Sequence, residues 1–177
     1  MITPVTMHDT ICDFLEKYVA LKYPKLKTVD RKGNENFKSP QVVRSGFILP
    51  KSIDDDISEE EEFPFIIPRI EKVSNKSNEI HSTVKLSILF GIYAPANYDE
   101  KGIFIDDGGG YRDLWNIIET TRQAFLSTHT IDKKYSVHKD YFESEMIEEQ
   151  IYPYWQGYCE FKLDVAFPLP ELDEFFF

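Results

Sequence analysis

The sequence predicts an α+β domain, with one mixed or antiparallel sheet of about five strands and two helices packed on one face. The first observation behind this is the stretch 154–167. There Trp155, Gly157, Cys159, Phe161, Leu163, Val165 and Phe167 alternate with Gln156, Tyr158, Glu160, Lys162, Asp164 and Ala166. The second is the stretch 80–93, where Val84, Leu86, Ile88, Phe90 and Ile92 fall on one side. Period-two alternation of this length describes strands with one covered face. The third is a pair of segments whose apolar residues recur every three or four positions, as on an amphipathic helix. One sheet with both helices packed on its covered face is an α+β arrangement.

The elements follow in order. Thr3-Pro4 is an N-cap residue followed by the proline tolerated in the first helical turn. Met7, Ile11, Phe14, Leu15, Tyr18 and Leu21 give this helix its expected apolar stripe, and Pro24 ends it. A Lys-rich connector (25–39) leads to a short strand at 41–49 and an acidic loop at 54–62. The next strand, 63–73, contains Pro68, which cannot donate a ladder hydrogen bond and so belongs on an edge or at a bulge. Turn chemistry at 74–78 then predicts a hairpin into the strand 80–93. After a long loop (94–110), Tyr111, Leu114, Trp115, Ile118, Arg122 and Phe125 mark the stripe of the second helix, with Ile117 and Leu126 alongside. A strand at 135–142 precedes the final one at 154–167. No internal repeat is evident.

At 177 residues the chain is most simply one domain, spanning 1–168, followed by an acidic, Phe-rich tail at 169–177. The net charge of −11 argues against a nucleic-acid-binding surface, which needs clustered Lys and Arg, and has the wrong sign for anionic membranes. Cys12 and Cys159 are expected to be buried free thiols. The N-terminus carries no secretory pattern, and no apolar run is long enough for a bilayer, so the expectation is a protein made in the cytoplasm.

No set of residues converges on catalysis. Gly108-Gly109-Gly110 precedes a helix, but it follows Asp106 and Asp107 and lacks a GK[ST] continuation, so a flexible helix start is favoured over a phosphate cradle. Asp54, Asp55, Asp56, Glu59, Glu60, Glu61 and Glu62 lack the spacing of a calcium loop and read as a solvated acidic loop, or as one facing a lumen or a basic partner. His8, His81, His129 and His138 are scattered and without a nearby Cys partner, so no metal site is expected. Arg112-Asp113 fits a surface ion pair or a polar anchor between subunits. Tyr152, Pro153, Tyr154 and Trp155 read as a buried aromatic corner that fixes the start of a strand. Phe175, Phe176 and Phe177 either fold back on the domain or anchor on a neighbour.

Several segments, taken in order, resemble the tail terminator (tail completion) proteins of long-tailed, non-contractile phages and prophages. They are PQVVRSGFILP at 40–50, the acidic run into FPFIIPRI at 63–70, and the strand 82–93 with its FGIY. GYRDLWNIIE at 110–119 and EEQIYPYWQG at 148–157 complete the set. The resemblance covers about 40–168. It implies a virion structural protein without cofactor or enzymatic activity. Such a protein forms a six-membered ring on the head-proximal end of the tail tube, stops its elongation and offers a surface to the neck. Its partners would be its own copies, the major tail tube protein and a head-completion protein, with no sequence-specific nucleic-acid contact. Phe63, Phe65, Arg69, Tyr111, Arg112 and Asp113 are the candidates for subunit or tube contacts, and the acidic loop for the lumen or a mating face. The competing expectations are another neck or head-completion component and an acidic inhibitor that mimics DNA.

Overall fold

The structure is a computed structural model that describes residues 3–29, 35–46, 63–75, 81–95, 97–98, 100–101, 103–105 and 108–165. The acidic loop 54–62 and the tail 169–177 lie outside the described residues.

Helix α1 (Pro4–Leu15) opens with a capping box in which Thr6 N–H donates to Thr3 Oγ1 (3.2 Å) and Thr3 N–H to Thr6 Oγ1 (2.9 Å). A π-helical turn, Glu16–Ala20, continues it, with Leu21 N–H reaching back five residues to Glu16 O. The extra residue rotates the helix surface beyond Leu15. Val19, Ala20 and Tyr23 are therefore buried, whereas Tyr18 and Leu21, expected on the stripe, face solvent.

The connector folds into a small hairpin, β1 (Leu26–Val29) with β2 (Glu35–Lys38). Next come β3 (Gln41–Val42), β4 (Phe65–Asn75) and β5 (Ser82–Tyr93), followed by a second small hairpin, β6 (Asn97–Tyr98) with β7 (Phe104–Ile105). Helix α2 (Gly109–Ser127), β8 (Thr130–Ile131), β9 (Tyr135–Met146) and β10 (Tyr154–Val165) complete the chain.

The main sheet has order β3-β4-β5-β10-β9-β8, parallel only between β3 and β4. The α+β class and mixed sheet are as expected, with six strands rather than about five. The added strand, β8, is only two residues long and too short for a periodic signal. Among the described residues, no helix is long and apolar enough to cross a membrane.

Val84, Leu86, Ile88 and Phe90 lie opposite Leu163, Phe161, Cys159 and Gly157, and all of them turn to the helices. Phe125 of α2 stacks on Phe161 (centroids 4.2 Å) and meets Phe14 of α1 edge-on (5.0 Å), so one aromatic chain ties both helices to the sheet. The buried stripe of α2 is Leu114, Ile117, Ile118, Thr121 and Phe125. Arg122 instead lies at its margin, paired with Glu119 (2.7 Å) and over the Phe142 ring. Gly157 has no side chain to hold Leu114 and Ile118 off the sheet; a Cβ there would already sit 3.3–3.4 Å from them.

Pro68 lies at an edge, as expected. β3 ends at Val42, whose partner is Ile66, so beyond that point no described strand covers β4. The outward carbonyl of Pro68 is met by His8 Nε2 from α1 (3.0 Å). A bulge between Ile70 and Lys72 follows.

Candidate functional site

The structure gathers the aromatic candidates at one end of the sheet, where β4 and β10 begin and β5 ends. On the open face, away from the helices, Phe63, Phe65 and Ile67 are buried against Val43, Leu89, Tyr93 and Tyr154. Tyr154 lies 5.0 Å from Phe63 and 5.4 Å from Tyr93, centroid to centroid. Gly91 makes this packing possible. It is opposite Phe65 in the ladder, and a Cβ would come within 2.3 Å of the Phe65 ring. The sheet therefore has a second, smaller core on the face expected to be bare.

One residue on, Trp155 turns to the helix face. It lies against Gly110, where a Cβ would fall 2.2 Å from the indole, and its ring meets Tyr111 edge-on at 6.3 Å. Tyr111 also meets Trp115, at 6.5 Å. Gly108 and Gly110 at the helix start are thus explained by backbone geometry and packing. Gly108 holds the left-handed conformation at the N-cap (φ 64°), and Gly110 admits Trp155.

The turn before β10 is fixed by side chains. Gln150 donates to Gln156 O (2.7 Å) and accepts from Gln156 N–H (2.6 Å), the Tyr152–Pro153 peptide is cis, and Ala94 N–H donates to Pro153 O (3.0 Å). The aromatic corner expected at 152–155 therefore exists, and it links the two faces, with Tyr154 on one and Trp155 on the other. It is not wholly buried. Tyr152 and Tyr111 are about half exposed (49% and 48%) and Ile151 is 75% exposed, so this end of the sheet presents an apolar rim to solvent.

The polar candidates are more dispersed. Arg69 lies on the open face farther along β4, its Nε–H donating to Gly46 O. Arg112 is exposed in the first turn of α2, with its N–H donating to Gly108 O. The Asp113 carbonyl accepts from Tyr23 OH (3.0 Å), tying α2 to the end of the first helix. The structure thus brings Phe63, Phe65 and Tyr111 to one end and leaves Arg69 apart from Arg112 and Asp113.

Sequence reasoning missed the polar network on the open face. Lys85 Nζ pairs with Glu160 (2.7 Å), Tyr158 OH donates to Glu145 (2.5 Å), and the Lys162 ammonium lies 3.7 Å from the Tyr141 ring centroid. Near the far end, Thr83 OH donates to Asp164 Oδ1 (2.9 Å), and His138 Nε2 approaches Asp164 Oδ2 to 2.6 Å. The two groups form an ion pair only when the imidazole is protonated. Partial burial opposes ionisation of Asp164, but His138 and Thr83 outweigh it and hold the carboxyl below its ordinary range.

Little in this set suits covalent chemistry. Both cysteines are free and buried, and burial raises the Cys12 thiol to about 11 and the Cys159 thiol well above its ordinary value, so neither carries thiolate at neutral pH. Contrary to the expectation of no Cys neighbour, the His8 ring lies 3.8 Å from Cys12 Sγ, one helical turn apart. His8 is engaged by Pro68 O, and among the described residues no three His, Cys, Asp or Glu side chains converge as a metal site. At Thr83–Asp164–His138 the carboxylate sits between the hydroxyl and the imidazole, so the imidazole does not reach the hydroxyl as it does in a Ser–His pair. What the surface offers is an apolar rim with a laddered polar face beside it, an arrangement suited to holding another protein. Compared with protein-family models and with curated proteins, the chain matches none of them.

Proposed function

We propose that this chain is a phage structural protein that caps the head-proximal end of a tail tube as a ring, ending tube growth and presenting the surface to which the head joins. The observation that supports this reading most is the apolar rim of Tyr111, Ile151 and Tyr152, backed by Trp155 and the buried Phe63–Phe65 cluster. A tube end is an unsatisfied protein surface, and capping it calls for rigid, partly exposed aromatics on a fixed scaffold. The rim is fixed from two sides, by Gly91 and by Gly110, each of which would clash if it carried a side chain. The net charge of −11 suits a ring through which DNA must slide without being held. The ring's partners would be further copies, the tube protein and a head-completion protein, and its place the virion neck.

The test is electron microscopy of particles assembled without this gene product, and again with Tyr111→Ala/Tyr152→Ala. The expected result in both cases is tails of uncontrolled length, or finished tails without heads. Normal-length, head-attached tails in the absence of the protein would overturn the reading.

A further inference from the structure

Among the described residues, part of β4 beyond β3 and part of β9 beyond β8 have no neighbouring strand on their outer side, and the backbone phase and charge of these two edges are complementary. Ile147 N–H donates to Gln156 O (3.1 Å), which sets the phase of the β9–β10 ladder. Glu143 and Glu145 therefore turn their backbone groups toward β10, while Phe142, Ser144 and Met146 turn theirs outward. Among the described residues, nothing pairs with the outer edge of β9 beyond Val137, which donates to His129 O.

At the other edge, Val43 N–H donates to Ile66 O, so Ile66, Pro68 and Ile70 point outward. After the bulge, Lys72 faces Lys85, and Val73 and Asn75 point outward. The first part of this edge is closed, because Pro68 has no N–H and its carbonyl is taken by His8. Beyond it no described strand pairs with this edge of β4, and residues 71–74 are exposed.

Three successive antiparallel pairings make β9 run opposite to β4. A second copy placed in line would therefore lay its β4 antiparallel to this β9 and keep both open faces on the same side. Glu143 and Glu145 stand on the open face of β9, Arg69 and Lys72 on the open face of β4. Glu143, Glu160, Ser87 and Arg69 even share one cross-strand row. Glu71, at the bulge, is the one acidic residue of the β4 segment 69–75. Pairing β9 with β9 would set Glu143 and Glu145 against themselves, and β4 with β4 would do the same to Arg69 and Lys72; like charges across a ladder are unfavourable.

We infer that the outer edge of β9 at 142–146 is a docking strand for the outer edge of β4 at 70–75 of a second copy. This is a head-to-tail contact of the kind that closes into rings or runs into filaments. It names the contact by which the proposed ring would close and rests on that reading only for closure, since the edge pairing itself requires no tube.

The test mixes full-length Lys72→Cys with Glu143→Cys and adds a short bismaleimide, with the wild-type chain, whose two cysteines are buried, as the blank. The expected product is a 72–143 dimer in the mixture, at least tenfold over either variant alone. A charge exchange sharpens it. Glu143→Lys/Glu145→Lys and Arg69→Glu/Lys72→Glu should each lose self-association at least tenfold in sedimentation while keeping their circular dichroism, and should associate when mixed. No 72–143 product at millimolar protein, an equal yield from Glu143→Cys alone, or unchanged association of both charge variants overturns the inference. Tube capping without the 72–143 product removes this contact and leaves the cap reading intact. The product without capping removes the cap reading and leaves the contact.

Discussion

The two faces of the central sheet are built from the same strands under different rules. On the helix side, Val84, Leu86, Ile88 and Phe90 and their partners on β10 are at or near zero exposure, so their identities are set by volume. On the other side, Thr83, Lys85, Ser87, Leu89 and Tyr93 are half-buried, and their contacts are ion pairs, hydroxyls and one aromatic cluster at a single end. The first face is organised by apolar packing and the second mainly by polar pairing. The exception is the Phe63–Phe65–Ile67 core, which stiffens the open face where the proposed contact rim begins.

The largest expected effect breaks the covered face. Phe161 lies between Phe125 (4.2 Å) and Phe142 (5.0 Å), so Phe161→Ala opens a cavity between helix and sheet. A loss of about 3–5 kcal/mol is expected, read as the shift of the urea midpoint. A loss below about 1 kcal/mol would mean that the stacked rings do not organise this core. Next is the small core of the open face. Gly91→Ala drives a methyl into the Phe65 ring, and the expected loss is roughly 1–3 kcal/mol. If the comparison of faces is right, Gly91→Ala should also weaken binding to tube ends beyond what its stability loss predicts, whereas Phe161→Ala, tested well below its melting temperature, should leave that binding nearly unchanged. Equal effects of the two on binding would erase the distinction.

The covered face was legible in the sequence because a face either wholly buried or half-buried leaves period two in the chain, as β5 and β10 do. The second core was harder to see because Phe63-Pro-Phe-Ile-Ile has apolar residues on both sides and so does not alternate. That unbroken run was itself the available signal for a strand covered on both faces. The phase error at Tyr18 and Leu21 has a different origin: one π turn shifts every later residue, and nothing local in Glu16–Ala20 announces it. Contacts such as His8 with Pro68, or His138 with Asp164, join residues whose proximity depends on strand order and on a bulge in β9. Neither is encoded in spacing. Phe63, Phe65 and Tyr111 could be recognised as unusual aromatics, but only Tyr111 is exposed enough to serve as a contact, Phe63 and Phe65 being buried beneath the rim. Their convergence at one end follows from the β4–β5 and β9–β10 hairpins flanking α2.

The smallest expected effect concerns acid stability and tests whether the open face contributes to folding through its charges. Asp164 has a folded-state pKa below its unfolded value, because the contacts of His138 and Thr83 outweigh the cost of partial burial. A carboxyl lowered in this way adds stability above its unfolded pKa, and that contribution is lost as pH falls through the folded value. Wild type should therefore lose more stability than Asp164→Asn between neutral pH and the acid side of the ordinary carboxylate range. At neutral pH the variant should be weaker by about 0.5 kcal/mol, a figure reduced for the exposure of both side chains. Parallel stability–pH curves for the two proteins would show that the Thr83–Asp164–His138 contacts add nothing to folding, and that this end of the open face is held by the covered face alone.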